Sequence, residues 1–323
     1  MNLVPAEPDS RYPAVRVRVP ASSANLGPGF DSIGIALGVW DECTVTVVDE
    51  PGVRITVEGP GAGEVPLDES HLVYRTMLHT WSALGAPVPT GVQLQCRNAV
   101  PHGRGMGSSA TAIVTGIVAA QAIWDITQGL DRDVDLALAN DLAAALEGHP
   151  DNSSASVFGG LTLSWTDDTD PDRTCTVRAP LHPDVDVLVF VPAGQLSTAK
   201  ARSVLPSSVR LGDAVRNSAR AALLIHAMGH APDLLLPATR EWLHQEPRRP
   251  SYPDSMALVD RIRERGHAAV ISGAGPSVIV LTTRAARDTV ATLADETWTV
   301  LAPGIPEHGA QVIRIDTAAG QPA

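Results

Sequence analysis

Lysine is nearly absent from this chain. Of its 24 basic residues, among 323 residues in all, Lys200 alone is a lysine, and an alanine precedes it. A G-x-x-x-x-G-K-[ST] phosphate loop is therefore excluded, and the lysine-dependent chemistry of protein kinases is disfavoured with it. Cysteine is scarce too: Cys43, Cys96 and Cys175 lie far apart with no C-x-x-C. That argues against a disulfide framework or a zinc knuckle and fits a reducing interior. No apolar run approaches the roughly 18 residues that span a bilayer, and the polar, proline-rich opening MNLVPAEPDSRYP is unlike a secretory signal. Acidic residues outnumber basic ones by 36 to 24, a formal charge of −12, so neither nucleic acid nor a membrane is expected as a partner. The expectation is a cytoplasmic protein that meets anionic ligands with local devices.

What is present is apolar bulk, 44% of the chain, enough for a sizeable core and more naturally two domains than one. VRVRV from Val15, TVTVV from Thr44, VRITV from Val53 and VQLQC from Val92 alternate with period two and predict strands. Helical length and composition follow over Thr111 to Trp124 and Leu136 to Leu146, and strand character resumes in FGGLTLSW. The acidic stretch Thr166 to Arg173 reads as a surface turn and a domain border. Beyond it come the strand VDVLVFV, a helix over Val215 to Met228, a strand–glycine turn–strand unit in HAAVISGAGPSVIVL, and a last strand in QVIRIDT. Strands and helices interleave without a strict βαβ repeat, so the fold class is α+β. The expected division is a loose tail at 1–13, an N-terminal domain at 14–170 and a C-terminal domain at 171–323.

The segment PHGRGMGSSATA, Pro101 to Ala112, places a glycine-rich loop between a strand and a buried helix. A helix start leaves backbone N–H groups unpaired and partly positive, so phosphate binds there when the backbone can approach. Gly103, Gly105 and Gly107 remove the side chains that would block that approach, and Ser108 and Ser109 stand at the helix start. A tight turn with a serine cap and no ligand fits the same residues. The dinucleotide pattern fails, because Ser108 stands three residues after Gly105 where a glycine is required.

Taken with VPASSANLGPGFDSIGIAL (Val19 to Leu37), EGHPDN, LHQEPRRPSYP and ISGAGPSVIVL (Ile271 to Leu281), that loop is similar to the phosphate-binding motif of the galactokinase, homoserine kinase, mevalonate kinase and phosphomevalonate kinase superfamily. The N-terminal motif resembles the homoserine kinase branch. The resemblance spans Val15 to about Leu281. It implies an N-terminal domain like domain 2 of ribosomal protein S5, a ferredoxin-like C-terminal domain, and an active site between them. The implied reaction moves the γ-phosphoryl group of ATP to the side-chain hydroxyl of L-homoserine, with Mg²⁺, in a homodimer. The nearest rival is a related kinase of another hydroxylated amino acid, and the rival of a different class is a non-catalytic nucleotide-binding regulator, as has arisen in the galactokinase branch.

Carried over residue by residue, the resemblance gives the ATP phosphates to Pro101, His102, Gly103, Arg104, Gly105, Met106, Gly107, Ser108 and Ser109, with Ser109 and Glu147 as Mg²⁺ ligands. Arg202 and Arg248 hold the substrate carboxylate, with Arg249 one residue from the second assignment. Asn25 and Asp31 lie near the substrate hydroxyl and ammonium, His149 and Asn152 complete the pocket, and Gly273 closes beside it. His71 or Val73 packs on the adenine. Asn152 has no proton to exchange and Thr198 only hydrogen-bonds, so no general base is assigned. The chain departs from the family's usage at Thr111 and at Ser153 and Ser154, which would add hydroxyls beside the reaction centre.

Overall fold

The computed structural model describes residues 12–196 and 198–315, apart from the side chains of Thr198 and Ala199. Of the expected loose tail, Tyr12 and Pro13 alone fall among them.

The first layer is a seven-stranded sheet. It contains β1 (Ala14–Asn25), β2 (Gly29–Val48), β3 (Gly52–Glu58), β4 (Gly91–Arg97), β5 (Leu161–Thr166) and β6 (Thr174–Ala179). Alternation shows where one face is solvated: Val15, Val17 and Val19 are fully buried and Arg16 is exposed. Helices α1 (Leu72–Ala83), α2 (Ser108–Thr127), α3 (Leu136–Glu147) and α4 (Pro150–Phe158) cover the sheet, with α2 in the middle of the apolar core.

The second layer runs β7 (Val185–Pro192), α5 (Thr198–Ser203), α6 (Leu211–Gly229), α7 (Leu235–Ala238), α8 (Gln245–Arg248), α9 (Pro253–Glu264), β8 (Ala268–Ile271), β9 (Val278–Thr283), α10 (Arg287–Ala291) and β10 (Trp298–Leu301). Its sheet has the order β10-β7-β9-β8, every pair antiparallel. That is the order of a ferredoxin-like domain, as expected. A separate apolar cluster joins the layers: Ala21, Leu26, Ile35 and Leu37 pack with Val187, Val189, Leu224 and Ile279.

The border expected at 170 falls elsewhere. Residues 167–173 do form a turn, but it closes a hairpin: β6 pairs with β5 from Thr166↔Thr174 to Leu161↔Ala179 and belongs to the first sheet. The last strand, β11 (Gln311–Arg314), also returns to that sheet and pairs with β1. Both pairings cover edges that would otherwise stand open. Helix α2 corrects a second expectation, because its 20 residues are long and apolar enough to cross a membrane. It is a core helix: 78% of that stretch is buried inside the protein.

Candidate active site

The turn between β1 and β2, NLGPGFD, carries the three non-glycine residues with positive φ among those described: Asn25 (69°), Leu26 (47°) and Asp31 (54°). Such backbone persists only where its surroundings hold it. Here Asn25 Nδ2 donates to Gly273 O (3.0 Å), Asn25 Oδ1 accepts from Asp31 N (3.0 Å), and the Leu26 side chain is fully buried. One end of the Asn25 amide thus ties this turn to the second domain, and the other closes the turn on itself.

The glycine loop leads into α2 with Gly107 as its N-cap, in the left-handed conformation and with no capping side chain. The serine-capped turn is thereby ruled out, and the first N–H groups of the helix stay open for an anion. Gly105, at φ +73°, lies against the second domain so closely that a Cβ would stand 2.3 Å from Ser272 O. Ser272 Oγ donates to Gly105 O (2.5 Å), and Leu196 N donates to Gly103 O (2.9 Å). The loop is clamped from across the cleft.

In EGHPDN, Gly148 ends α3 in the left-handed conformation and Pro150 opens α4, the usual stop and start signals at each end. Glu147, His149, Asp151 and Asn152 therefore face the same cleft. The Ser109 hydroxyl donates to Glu147, and burial pushes the Glu147 carboxyl up against the pull of that hydrogen bond. His149 Nδ1 meets the buried Asp151 carboxylate at 2.6 Å. Burial disfavours the charged imidazole, but the hydrogen bond and charge of Asp151 outweigh it and raise the His149 pKa. Asn152 Oδ1 accepts from Ser22 Oγ (3.1 Å), which turns its amide nitrogen to the cleft.

The far wall comes from the second domain. Arg202 pairs bidentately with Asp31 (2.7 and 3.1 Å). Arg248 is 1% exposed; its Nε donates to Ala201 O (2.9 Å) and its Nη1 faces His244 Nδ1 (3.3 Å), and no carboxylate pairs with it among the described residues. Burial penalises its charge and lowers its pKa. Arg249 is bound outside, to Glu246 and Asp260, so Arg248 is the arginine of this pair that lines the cleft.

His244, fully buried, bridges Gly27 O (2.8 Å) and Arg248, a pattern that requires the neutral imidazole. Burial holds its pKa down, outweighing Glu241 and Asp31, with Arg248 adding to the depression. A base depressed in the folded state contributes stability that is complete above its ordinary value and is lost as pH falls below about 6.5. Wild-type melting temperature is expected to drop as pH falls below about 6.5, and His244→Gln to flatten that part of the profile. Superimposable profiles would remove His244 from the acid response.

The cleft is lined by Asn25, Asp31, Gly103, Gly105, Gly107, Ser108, Ser109, Glu147, His149, Asn152, Arg202, Arg248 and Gly273 among others. A more apolar cavity opens from it at Ser108 and Ser109 and takes in His71, Val73 and His102. His71 Nδ1 is buried there without a partner, and burial, helped by the charge of His102, lowers its pKa. Cys43 and Cys96, free thiols facing each other across β2 and β4, form part of its wall.

Other expected residues stand apart. Pro101 lines neither cavity. Arg104 turns to Pro192 O (3.0 Å) and Ala193 O (2.7 Å), and Met106 is buried in the interdomain core, so each of these side chains anchors the loop. Thr111 Oγ1 bonds back to Gly107 O (2.9 Å). Ser153 Oγ goes to Pro150 O (3.2 Å) and Ser154 Oγ to Asn140 Oδ1 (2.7 Å), so neither serine adds a hydroxyl to the cleft. Thr198 opens α5, and its side chain lies outside the described residues. Sequence reasoning missed Asp151, Ser22 and Phe30. All three sit inside motifs already singled out, Asp151 in EGHPDN and the other two in the segment from Val19 to Leu37, beside residues that were assigned roles.

A glycine loop at a helix start, a hydroxyl–carboxylate pair beside it and a buried and a half-buried arginine across a two-domain cleft define a small-molecule phosphotransferase of the GHMP kinase class. The GHMP kinases N terminal domain matches residues 71–160 and the GHMP kinases C terminal domain residues 219–298. The chain is 47% identical over 307 residues to the homoserine kinase of Clavibacter michiganensis, covering 94% of this chain and 95% of that one. To the homoserine kinase of Streptomyces coelicolor it is 46% identical over 313 residues, with 97% and 99% covered. The crystal structure of homoserine kinase from Cytophaga hutchinsonii shares the fold at a TM-score of 0.80 and 24% identity, over 97% of this chain and 100% of that one. The chain belongs to the homoserine kinase family, a branch of the GHMP kinases whose phosphoryl donor is ATP with Mg²⁺.

Proposed function

We propose that this protein transfers the γ-phosphoryl group of ATP to the side-chain hydroxyl of L-homoserine, giving O-phospho-L-homoserine on the route to threonine. The observation that carries the reading is the shared cleft: open helix N–H groups on one wall and, on the other, a buried arginine with no carboxylate partner among the described residues. A zwitterion with a hydroxyl at its far end fits between them.

The backbone of Gly103 to Ser109 cradles the phosphates, and the side cavity with His71 and Val73 takes the base. Ser109 and Glu147, one hydroxyl and one carboxylate already in contact, are the donor set a small hard cation accepts. Those two residues would hold Mg²⁺, and the chemistry it would supply there is neutralisation of charge on the transferring group. Arg248 receives the substrate carboxylate. Arg202 and Asp31 neutralise each other across 2.7 Å. The carboxylate and ammonium of the substrate supply each of them with a replacement partner, so the pair opens without leaving a bare charge. Asn152 donates to the acceptor region, Asn25 shapes it through Asp31 and Gly273, and His149 walls it. No residue acts as general base: the loose transition state puts its charge on phosphoryl oxygens, and positioning with charge neutralisation carries the rate.

The formal charge of −12 and the burial of α2 support action in the cytoplasm without nucleic acid or membrane. Family resemblance supports a homodimer.

ADP release from Mg-ATP with L-homoserine, D-homoserine, L-serine, L-threonine, mevalonate and galactose tests the reading. Selective turnover of L-homoserine is expected. Turnover of another hydroxylated amino acid in preference would overturn the acceptor while keeping the reaction class; preference for galactose, which has neither charge, would remove the carboxylate–ammonium site, and preference for mevalonate, which has the carboxylate alone, would remove its ammonium half.

A further inference from the structure

Phe30 stands on the strained turn, one residue before Asp31, and three groups converge on its ring. The Arg248 Cζ lies 5.5 Å from the ring centroid and the Arg202 Cζ 5.8 Å. The His244 ring stacks on it at 5.1 Å with 23° between planes. These partners come from α5, α8 and the residue before α8, all in the second domain, whereas Phe30 belongs to the first.

The arrangement has an electrostatic purpose. Arg202 and Arg248 are like charges, and each disfavours the charge of the other. Arg202 is neutralised by Asp31, but Arg248 has only a carbonyl and a neutral imidazole as hydrogen-bond partners. An aromatic face attracts a cation within about 6 Å of its centroid, more strongly where water is excluded. It does so without offering a hydrogen bond that would occupy the fork of a guanidinium, so the N–H groups stay available for an incoming carboxylate. A carboxylate in place of the ring would pair with the arginines and block them. Phenylalanine stabilises both cations without pairing with either, so Arg248 keeps its fork free and Arg202 answers to Asp31 alone.

We infer that Phe30 is a positioning residue for acceptor recognition, holding Arg202 and Arg248 around one ring so that a single carboxylate meets both. The inference rests on the proposed acceptor being an amino acid, and it adds a determinant of KM that touches no reacting atom. Phe30→Leu keeps apolar bulk and removes the π face. It is expected to raise the KM for L-homoserine about tenfold to hundredfold, leaving the KM for ATP within about twofold and kcat within about threefold. Phe30→Tyr restores most of the loss. Stepwise fluorination of the phenylalanine at position 30 retains shape while draining the π face, and is expected to raise the homoserine KM with each fluorine.

Two results would overturn the inference alone: an unchanged homoserine KM in Phe30→Leu, or a fluorinated series with flat KM, in an enzyme whose wild type turns over homoserine normally. A parallel rise of both KM values with a fall in melting temperature assigns Phe30 to packing and overturns it as well. Failure of the wild type on every amino acid of the acceptor panel overturns the proposed function itself.

Discussion

Replacing Arg248 by methionine is expected to raise the KM for L-homoserine by about 30-fold to 3,000-fold, with nucleotide affinity unchanged. Methionine keeps the length and most of the apolar contact of the stem. What it removes is a buried cation with no carboxylate partner among the described residues, so the loss falls on whichever anion the site was built to receive. Truncating one partner of a desolvated charge pair costs about 2–5 kcal/mol, and each 1.4 kcal/mol is about tenfold in affinity. Arg248→Lys should recover little, because an ammonium cannot reproduce the planar fork. Arg249→Met serves as the neighbouring control: its guanidinium is committed to Glu246 and Asp260 on the surface and should leave KM where it was. Steady-state kinetics with each substrate varied in turn decides the matter. A homoserine KM within threefold of wild type in Arg248→Met would remove the carboxylate clamp from the mechanism.

Glu147→Gln is expected to lower kcat by about a hundredfold or more at saturating ATP and homoserine, through loss of several kcal/mol of charge stabilisation. Glutamine is isosteric and still accepts from the Ser109 hydroxyl, so the loop and the end of α3 should stay in place. The change removes one negative charge from the cation site. Two readouts separate this from a structural effect. Raising total Mg²⁺ should recover part of the rate by mass action, and Mg²⁺ should raise the melting temperature of the wild type in the presence of nucleotide but that of the variant much less. A variant with wild-type kcat and wild-type Mg²⁺ dependence would place the cation elsewhere in the cleft.

Both predictions depend on residues whose legibility in the sequence differed. Glu147 was within reach because its position is set locally: Gly148 takes the left-handed stop and Pro150 the first helical position, so the chain reverses there whatever surrounds it. The glycine loop is similar, since Gly103, Gly105 and Gly107 all adopt positive φ, which glycine alone tolerates freely. Arg248 could not be told from Arg249 on the same grounds. Adjacent residues at this turn of helix point in different directions, and only the packing of α8 and the 3₁₀ turn that follows it decides which enters the cleft.

Other misreadings have the same origin. Ser153 and Ser154 looked like additions to the reaction centre because they follow Asn152, but α4 turns them toward Pro150 and Asn140. Met106 and Arg104 sit inside the phosphate motif, yet only the loop's backbone remains on the cleft side, since the interdomain core takes one side chain and the end of β7 the other. Strand β6 went unread and β11, read as a strand, was placed with the second domain, because their partners, β5 and β1, determine their place in the sheet.

By itself, then, the sequence determined the strands that alternate, the helix that must be buried and the backbone turns that glycine and proline impose, because each of these is settled by sterics and hydrophobic pattern within a few residues. Tertiary structure alone decided the charges of the site. Asp31 meets Arg202 across 171 residues of chain, and Phe30 meets Arg248 across the domain boundary. Such contacts depend on which faces of distant elements come together when the interdomain core closes, and no local rule carries that information.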